Sequence, residues 1–196
     1  MAEASKKIIE LVAGPNGSGK TTFAESVLVR GKKRTVFLNP DAIALGIGAL
    51  DYDAASFQAG RWLIQEVRDR LSAGEAFAFE STVSGKTWAR ILSDAVANGY
   101  QLTTYFVAVD SVRSSLERIS SRVAEGGHDV PARVVRRRYL RCFENFWKLY
   151  RPLCTRWYLF DNSGKSPELM MENEQFASLP QTAQDSYVKH FLKGQL

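Results

Sequence analysis

Residues 14–21 read Gly-Pro-Asn-Gly-Ser-Gly-Lys-Thr, and this stretch constrains the fold more than any other part of the chain. It satisfies the pattern G-x-x-x-x-G-K-[ST] and lies between an apolar run at 7–12 and a helical pattern at 20–29. Glycines here let successive backbone N–H groups turn inward around phosphate oxygens, because a Cβ would block their approach. The stretch therefore predicts a nucleoside triphosphate site.

The whole loop is expected to hold the nucleotide. The predicted nucleotide-binding residues are Gly14, Pro15, Asn16, Gly17, Ser18, Gly19, Lys20, Thr21 and Thr22. Lys20 supplies a mobile positive charge for the β- and γ-phosphates, and the Thr21 hydroxyl is the expected Mg²⁺ ligand. The alternative is a glycine-rich turn without a ligand, and the flanking strand and helix argue against it.

Short apolar runs alternate with helical patterns along the rest of the chain. Strands are predicted at 7–12, 34–38, 76–79, 102–109 and 157–160, and helices at 20–29, 54–71, 87–97, 111–124 and 131–150. This alternation predicts an α/β fold: a five-stranded parallel sheet with helices on both faces, in a single domain spanning 1–196. The C-terminal segment 165–196 is expected to be helical. Ligands of such sheets bind beyond the carboxyl ends of the strands.

Composition excludes several other classes of protein. Two cysteines, Cys142 and Cys154, are too few for a disulfide framework and lack metal-ligand spacing. No apolar run approaches the roughly 20 residues of a membrane span, and no secretory signal is expected, so the predicted location is cytoplasmic. The net charge of +5 indicates an anionic partner but does not distinguish nucleic acid from nucleotide, and a solvated basic surface is the alternative.

Acidic residues follow two of the predicted strands. Asp41 comes just after the second strand and Glu80 just after the third. A carboxylate near the γ-phosphate can orient an acceptor hydroxyl and take its proton, which is typical of phosphotransferases. The alternatives are a turn or helix cap for Asp41 and a paired structural carboxylate for Glu80. Asp110 ends a later apolar run, where a helix cap is favoured over a metal ligand.

Arginines concentrate on two predicted helices in the second half of the chain. They are Arg113, Arg118, Arg122, Arg133, Arg136, Arg137, Arg138 and Arg141. A glycine-containing connection at 125–131 joins the helices, and the pattern predicts a lid at about 111–150 that closes over phosphates. A solvated helix pair and a nucleic-acid patch remain alternatives. His128, in the connection, either touches a phosphate or caps the turn.

Taken together, these segments resemble the zeta-toxin-like P-loop kinases, a family of small bacterial proteins. The resemblance covers about 7–163 and rests on the glycine-rich loop with Asn39-Pro-Asp41, Phe79-Glu-Ser-Thr82, Gly126-Gly-His-Asp-Val-Pro131 with Arg138-Tyr139, and Asp161-Asn-Ser163. It implies a P-loop fold of the nucleotide and shikimate kinase-like type. It also implies transfer of phosphate from ATP, with Mg²⁺, to the 3′-hydroxyl of UDP-N-acetylglucosamine.

The same resemblance implies roles for individual residues. The implied catalytic residues are Asp41 as base, Lys20, and the lid arginines Arg118 and Arg122, with Arg137 or Arg138 as alternatives to Arg122. The implied substrate contacts are Glu80, Thr82 and Arg138. A nucleotide-sugar substrate and a possible protein antitoxin are the implied partners, and neither a membrane nor nucleic acid is expected. A nucleotide-dependent switch and a polynucleotide 5′-hydroxyl kinase are the alternative functions.

Overall fold

The computed structural model of the protein describes residues 7–29, 36–40, 52–127 and 129–194. Within these ranges the strands are β1 (Ile8–Ala13), β2 (Val36–Leu38), β3 (Phe77–Ser81), β4 (Gln101–Ala108), β5 (Arg156–Asp161) and β6 (Glu168–Glu172). The helices are α1 (Lys20–Ala24), α2 (Tyr52–Ala73), α3 (Thr87–Ala97), α4 (Val112–Ala124), α5 (Ala132–Asn145), α6 (Asn173–Ser178) and α7 (Gln181–Leu192). Asp41 and His128 lie outside the described residues.

The strands form one sheet in the order β2-β3-β1-β4-β5-β6. Strands β1 to β5 are parallel, as the sequence predicts. The chain leaves β1 for one side of the sheet and later returns to the other side, so the strand order reverses at β1. The glycine-rich loop follows β1 directly, which places it at the crevice where ligands of such sheets bind.

The sixth strand corrects the expectation that segment 165–196 is helical throughout. Glu168–Glu172 pairs antiparallel with β5, and only Met171 within it is buried. Glu, Leu and Met favour helices, but here pairing with the open edge of β5 satisfies the backbone, and that tertiary contact overrides local propensity. Helices resume at Asn173.

Two predicted helices change their geometry before they end. Helix α1 continues as a π-helical turn at Glu25–Val29, and α5 continues as one at Phe146–Tyr150, followed by a 3₁₀ turn at Arg151–Leu153. By contrast, α3 begins and ends where the sequence predicts, at Thr87 and Ala97.

The main core includes the contact between the sheet and helices α5 and α7. Phe106 of β4 packs against Phe143 of α5, with ring centroids 5.2 Å apart, and Phe191 of α7 lies against both. Tyr139 and Cys142 of α5 are also buried in this core. Helix α5 is therefore anchored in the body of the domain, although the sequence places it in a mobile lid. None of the described helices is long and apolar enough to cross a bilayer.

Candidate active site

The glycine-rich loop is wrapped tightly by its neighbours. Gly14, Gly17 and Gly19 have φ angles of 145°, 74° and 82°, in the region that favours glycine. A Cβ at Gly17 would lie 2.5 Å from the Ser115 carbonyl oxygen of α4, and one at Gly19 would lie 2.6 Å from Asn162 Nδ2. The loop therefore has room for backbone alone, which leaves its amides able to approach a ligand closely.

Polar groups in the loop fit a phosphate ligand. Ser18 Oγ and Asn16 Oδ1 are buried and have no hydrogen-bond partner among the described residues. Lys20 Nζ donates to the Pro15 carbonyl oxygen at 2.8 Å, so the ammonium group lies across its own loop. Buried polar atoms without partners are costly. A phosphate oxygen can accept from the Ser18 hydroxyl, and a bound water can donate to Asn16 Oδ1. The loop thus matches the triphosphate site predicted from sequence.

Glu80 lies beside the predicted magnesium ligand. Thr21 Oγ1 donates a hydrogen bond to Glu80 Oε2 at 2.9 Å, and Glu80 is only 3% exposed. This contact follows from the strand register. Val12 of β1 pairs with Glu80 of β3, so the two parallel strands end beside each other. A carboxylate and a hydroxyl together are oxygen donors of the kind that Mg²⁺ prefers.

A cleft of about 570 Å³ opens next to this pair. Its lining comes from α2, the end of β3, the start of α3 and the first half of α5. It includes Glu80, Thr82 and Arg138, the three predicted substrate contacts, together with Arg61 and Arg137. The structure therefore brings these three residues to one cavity, and its volume lies within the usual range for small-molecule sites.

The turn after β3 is held in a strained conformation. Val83 has a φ angle of 48°, and no other non-glycine residue in the described part of the chain has a positive φ. Such a conformation is rare for a β-branched residue. Two side chains from one segment of the chain hold this turn. Asn145 Nδ2 donates to the Val83 carbonyl at 2.9 Å, and the Tyr150 hydroxyl donates to the Gly85 carbonyl at 2.7 Å.

The predicted lid arginines occupy different places. Arg118 Nη2 donates to the Ser163 carbonyl at 3.1 Å, beside the turn that follows β5. The side chain of Arg122 lies against Gly127, where a Cβ would come within 2.6 Å of Arg122 Cγ. Neither lines the cleft, whereas Arg137 and Arg138 do. The two predicted lid arginines on α4 therefore lie outside the cleft, and the two arginines on α5 line it.

Asp110 takes part in the start of α4. The Ser111 hydroxyl accepts from the Ser114 amide and is the N-cap, and the Asp110 carboxylate accepts from the Ser114 hydroxyl. The residue that caps α4 is therefore Ser111, one position beyond the predicted cap Asp110, which supports the cap only through the Ser114 hydroxyl. Thr22, the last residue of the predicted loop, is exposed on α1.

Buried ionisable side chains behind the cleft are held in their neutral forms. Burial raises the pKa of the Cys142 thiol to about 12, although nearby Lys20 and Arg138 act in the opposite direction. Burial also raises the pKa of the Tyr139 phenol, which donates a 2.7 Å hydrogen bond to the Val109 carbonyl. Neither group is suited to proton transfer near neutral pH.

Sequence reasoning missed two residues that shape the site. Asn162 Nδ2 donates to the Ser18 carbonyl at 2.8 Å, and Asn145 holds the turn after β3. Asn162 was noted only as part of the Asp161-Asn-Ser163 segment. The available signal is an asparagine two positions after the predicted strand 157–160, at the ligand edge of the sheet. Asn145, within a helical pattern, gave none.

A family model described as an AAA domain (AAA_33) matches residues 9–144. The chain belongs to this family. An uncharacterized protein of Haemophilus influenzae is 30% identical over 129 residues, which make up 64% of this chain and 88% of the relative.

Solved structures share the fold at low sequence identity. A structure from the PezAT chromosomal toxin–antitoxin system of Streptococcus pneumoniae has a TM-score of 0.63 at 14% identity, covering 98% of this chain and 88% of the other. AvrRxo1-ORF1:-ORF2 with ATP has a TM-score of 0.69 at 15% identity, covering 98% and 65%. A gluconokinase from Sinorhizobium meliloti has a TM-score of 0.50 at 16% identity, covering 97% and 92%. At the level of the fold, these findings confirm the resemblance to zeta-toxin-like P-loop kinases.

Proposed function

We propose that the protein is an ATP- and Mg²⁺-dependent phosphotransferase that phosphorylates a hydroxyl of a small substrate. The observation that carries the proposal is the position of Glu80, which accepts a hydrogen bond from Thr21 and also lines the adjacent cleft. One carboxylate thus joins the phosphate loop to a cavity large enough for an acceptor. A switch that only hydrolyses ATP has no need of such a cavity.

The chain offers a group for each part of the transfer. Backbone amides of the loop and Lys20 bind the phosphates, and Thr21 with Glu80 would hold Mg²⁺, which supplies charge neutralisation when bound. The acceptor oxygen attacks the γ-phosphorus, the bond to the β-phosphate oxygen breaks, and ADP leaves. We assign Asp41 to take the hydroxyl proton, on the strength of the family resemblance. Arg118 and Arg122 are proposed to neutralise the transferred group when the nucleotide is bound.

For the acceptor, we infer a UDP-N-acetyl amino sugar phosphorylated at its 3′-hydroxyl. Arg61, Arg137 and Arg138 line the cleft, and guanidinium groups suit a diphosphate. Thr82 Oγ1 lies 3.0 Å from Ser84 Oγ, and this hydroxyl pair can exchange hydrogen bonds with sugar hydroxyls. Glu80, Thr82 and Arg138 are the proposed substrate contacts.

The direct experiment is mass spectrometry of UDP-N-acetylglucosamine incubated with the protein, ATP and Mg²⁺. We expect a product heavier by one phosphoryl group, and none with EDTA. Asp41→Ala is expected to lower turnover by about 10²-fold or more while ATP affinity stays within a few-fold. The same incubation of a cell extract would reveal a different hydroxyl acceptor. ADP release without any phosphorylated product would contradict the proposal and favour the switch.

We also propose a protein antitoxin as partner. The support is the fold shared with a toxin–antitoxin system and with the two-component AvrRxo1-ORF1:-ORF2 complex. Such a partner is expected to inhibit phosphotransfer when added to the purified enzyme. A partner that binds without slowing transfer would contradict the assignment.

A further inference from the structure

We propose that Asn162 is a positioning residue that holds the Ser18–Gly19 peptide in its phosphate-binding orientation. The inference deepens the proposed function, on which it rests, by naming a residue outside the glycine-rich loop that keeps the loop competent. Asn162 lies directly after β5, on a different segment of the chain from the loop it contacts.

The contact is direct and its direction is fixed. Asn162 Nδ2 lies 2.8 Å from the Ser18 carbonyl oxygen. A carbonyl oxygen only accepts hydrogen bonds, so the amide nitrogen of Asn162 must face it and the side-chain orientation is determined. The Asn162 backbone is fixed as well, because its N–H donates to the Ala108 carbonyl at 2.8 Å.

Because the peptide is trans, the contact of Asn162 with the Ser18 carbonyl also sets the direction of the Gly19 N–H. In a planar trans peptide the C=O of one residue and the N–H of the next point in opposite directions. Holding the Ser18 carbonyl toward Asn162 therefore directs the Gly19 N–H to the opposite side, where the phosphates bind. Gly19 has a φ angle of 82° and no Cβ, so without Asn162 this peptide is able to rotate at low cost.

The turn that carries Asn162 is itself rigid. The Asp161 carboxylate accepts from the Ser163 amide at 2.8 Å, and the Ser163 hydroxyl accepts from the Asp110 amide at 2.9 Å. Arg118 adds a third contact through the Ser163 carbonyl. A side chain mounted on such a turn loses little further entropy when it holds the loop, which favours preorganisation of the amides.

Calorimetric titration of the protein with Mg²⁺·ADP tests the proposal, and it requires no knowledge of the acceptor. Asn162→Ala is expected to weaken binding about tenfold, the equivalent of one hydrogen bond. Asn162→Asp is expected to bind more weakly still, because a carboxylate would face the Ser18 carbonyl and stand near the phosphates. The KM for ATP should rise in both variants while the KM for the acceptor stays unchanged.

Asn173→Ala is the matched control, because Asn173 Oδ1 accepts from the Trp157 amide at the other end of β5. It removes a comparable side-chain-to-backbone bond and is expected to leave ADP affinity unchanged. Wild-type affinity in folded Asn162→Ala and Asn162→Asp would overturn the inference alone. A wild-type protein that binds no nucleotide would overturn the proposed function and this inference with it.

Discussion

Glu80 shows how one residue takes its role from pairing between distant segments. It ends the apolar run at 76–79, and parallel pairing of β3 with β1 sets its carboxylate against Thr21. Hydrolytic P-loop proteins place an Asp at the end of an apolar strand to organise magnesium, and none of the described strands before β4 ends in Asp. Glu80 stands in that place with one more methylene. Glu80 also lines the cleft in which we propose that the acceptor binds.

Replacing Glu80 with glutamine should distinguish the effect of its negative charge from the effect of its size and hydrogen bonding. Glu80→Gln keeps the volume and an oxygen that can accept from Thr21, but it removes the negative charge beside the proposed Mg²⁺. We expect kcat to fall by about 10²-fold or more, and half-maximal activity to need more Mg²⁺. Steady-state rates measured across a Mg²⁺ series check both effects.

Glu75→Gln is the control for that variant. Glu75 lies just before the opposite end of β3, where its half-exposed carboxylate pairs with Arg70 at 2.9 Å. It should retain wild-type rates and Mg²⁺ dependence. Equal rates in Glu80→Gln and the wild type would remove Glu80 from the mechanism.

At the scale of elements, the α5 helix and the turn after β3 form one unit. The first half of α5 supplies Arg137 and Arg138 to the cleft. Asn145, at the end of α5, and Tyr150, in the π-helical turn beyond it, hold the carbonyls of Val83 and Gly85. The strained turn therefore depends on the same segment that provides the cleft arginines.

Removing the hydrogen bonds that Asn145 and Tyr150 donate to the turn after β3 should weaken binding of the acceptor more than binding of the nucleotide. In Asn145→Ala and Tyr150→Phe the turn is free to relax from its strained conformation, and Thr82 loses its fixed position. We expect the acceptor KM to rise several-fold, with the KM for ATP unchanged and about 1 kcal/mol of stability lost. Steady-state kinetics and urea unfolding provide the measurements.

Tyr100→Phe serves as the comparison. The Tyr100 hydroxyl also donates to backbone carbonyls, among them that of Glu75 at 3.2 Å, but it lies away from the cleft. It should lose similar stability without any change in acceptor KM. An acceptor KM that rises equally in Tyr100→Phe would show that the effect is one of general stability.

Elements with strong local signals were predictable from sequence, and those set by distant contacts were not. Glycines between an apolar run and a helical pattern identify the phosphate loop, and Asn98-Gly99 marks the end of α3 correctly. Strand β6 was missed because its residues favour helix locally, and only the open edge of β5 selects a strand. The contact of Glu80 with Thr21 likewise depends on sheet register, which no local pattern encodes.

For the whole molecule, the core contains ionisable groups that must stay neutral. Cys142 is fully buried, and burial raises its pKa to about 12 from an ordinary value of 9.0. Burial also raises the pKa values of Tyr139 and Tyr150. Each group binds its proton more tightly in the folded protein than in the unfolded chain.

This difference predicts alkaline lability. When the folded pKa is the higher one, the stabilisation is present in full below the unfolded pKa and is lost as pH rises through the folded value. For Cys142 the free energy of unfolding should therefore decline from about pH 9 upward to about pH 12. Denaturant titrations between pH 7 and 11 measure it. Cys142→Ala should reduce the slope, and an unchanged slope would contradict the assignment.

Because α5 is packed into the core, the two walls of the cleft differ in how well they tolerate amino-acid substitutions. Behind Arg138 stand Tyr139 and Cys142, so remodelling that wall disturbs the packing of the entire domain. The facing wall on α2 presents Phe57, 67% exposed, with the Arg61 guanidinium 5.9 Å from its ring centroid. Substitutions at these two exposed positions meet solvent instead of neighbours, although Ala59 and Leu63 of the same wall are buried. New acceptor preferences, natural or engineered, should therefore accumulate on α2 while the opposite side stays nearly constant.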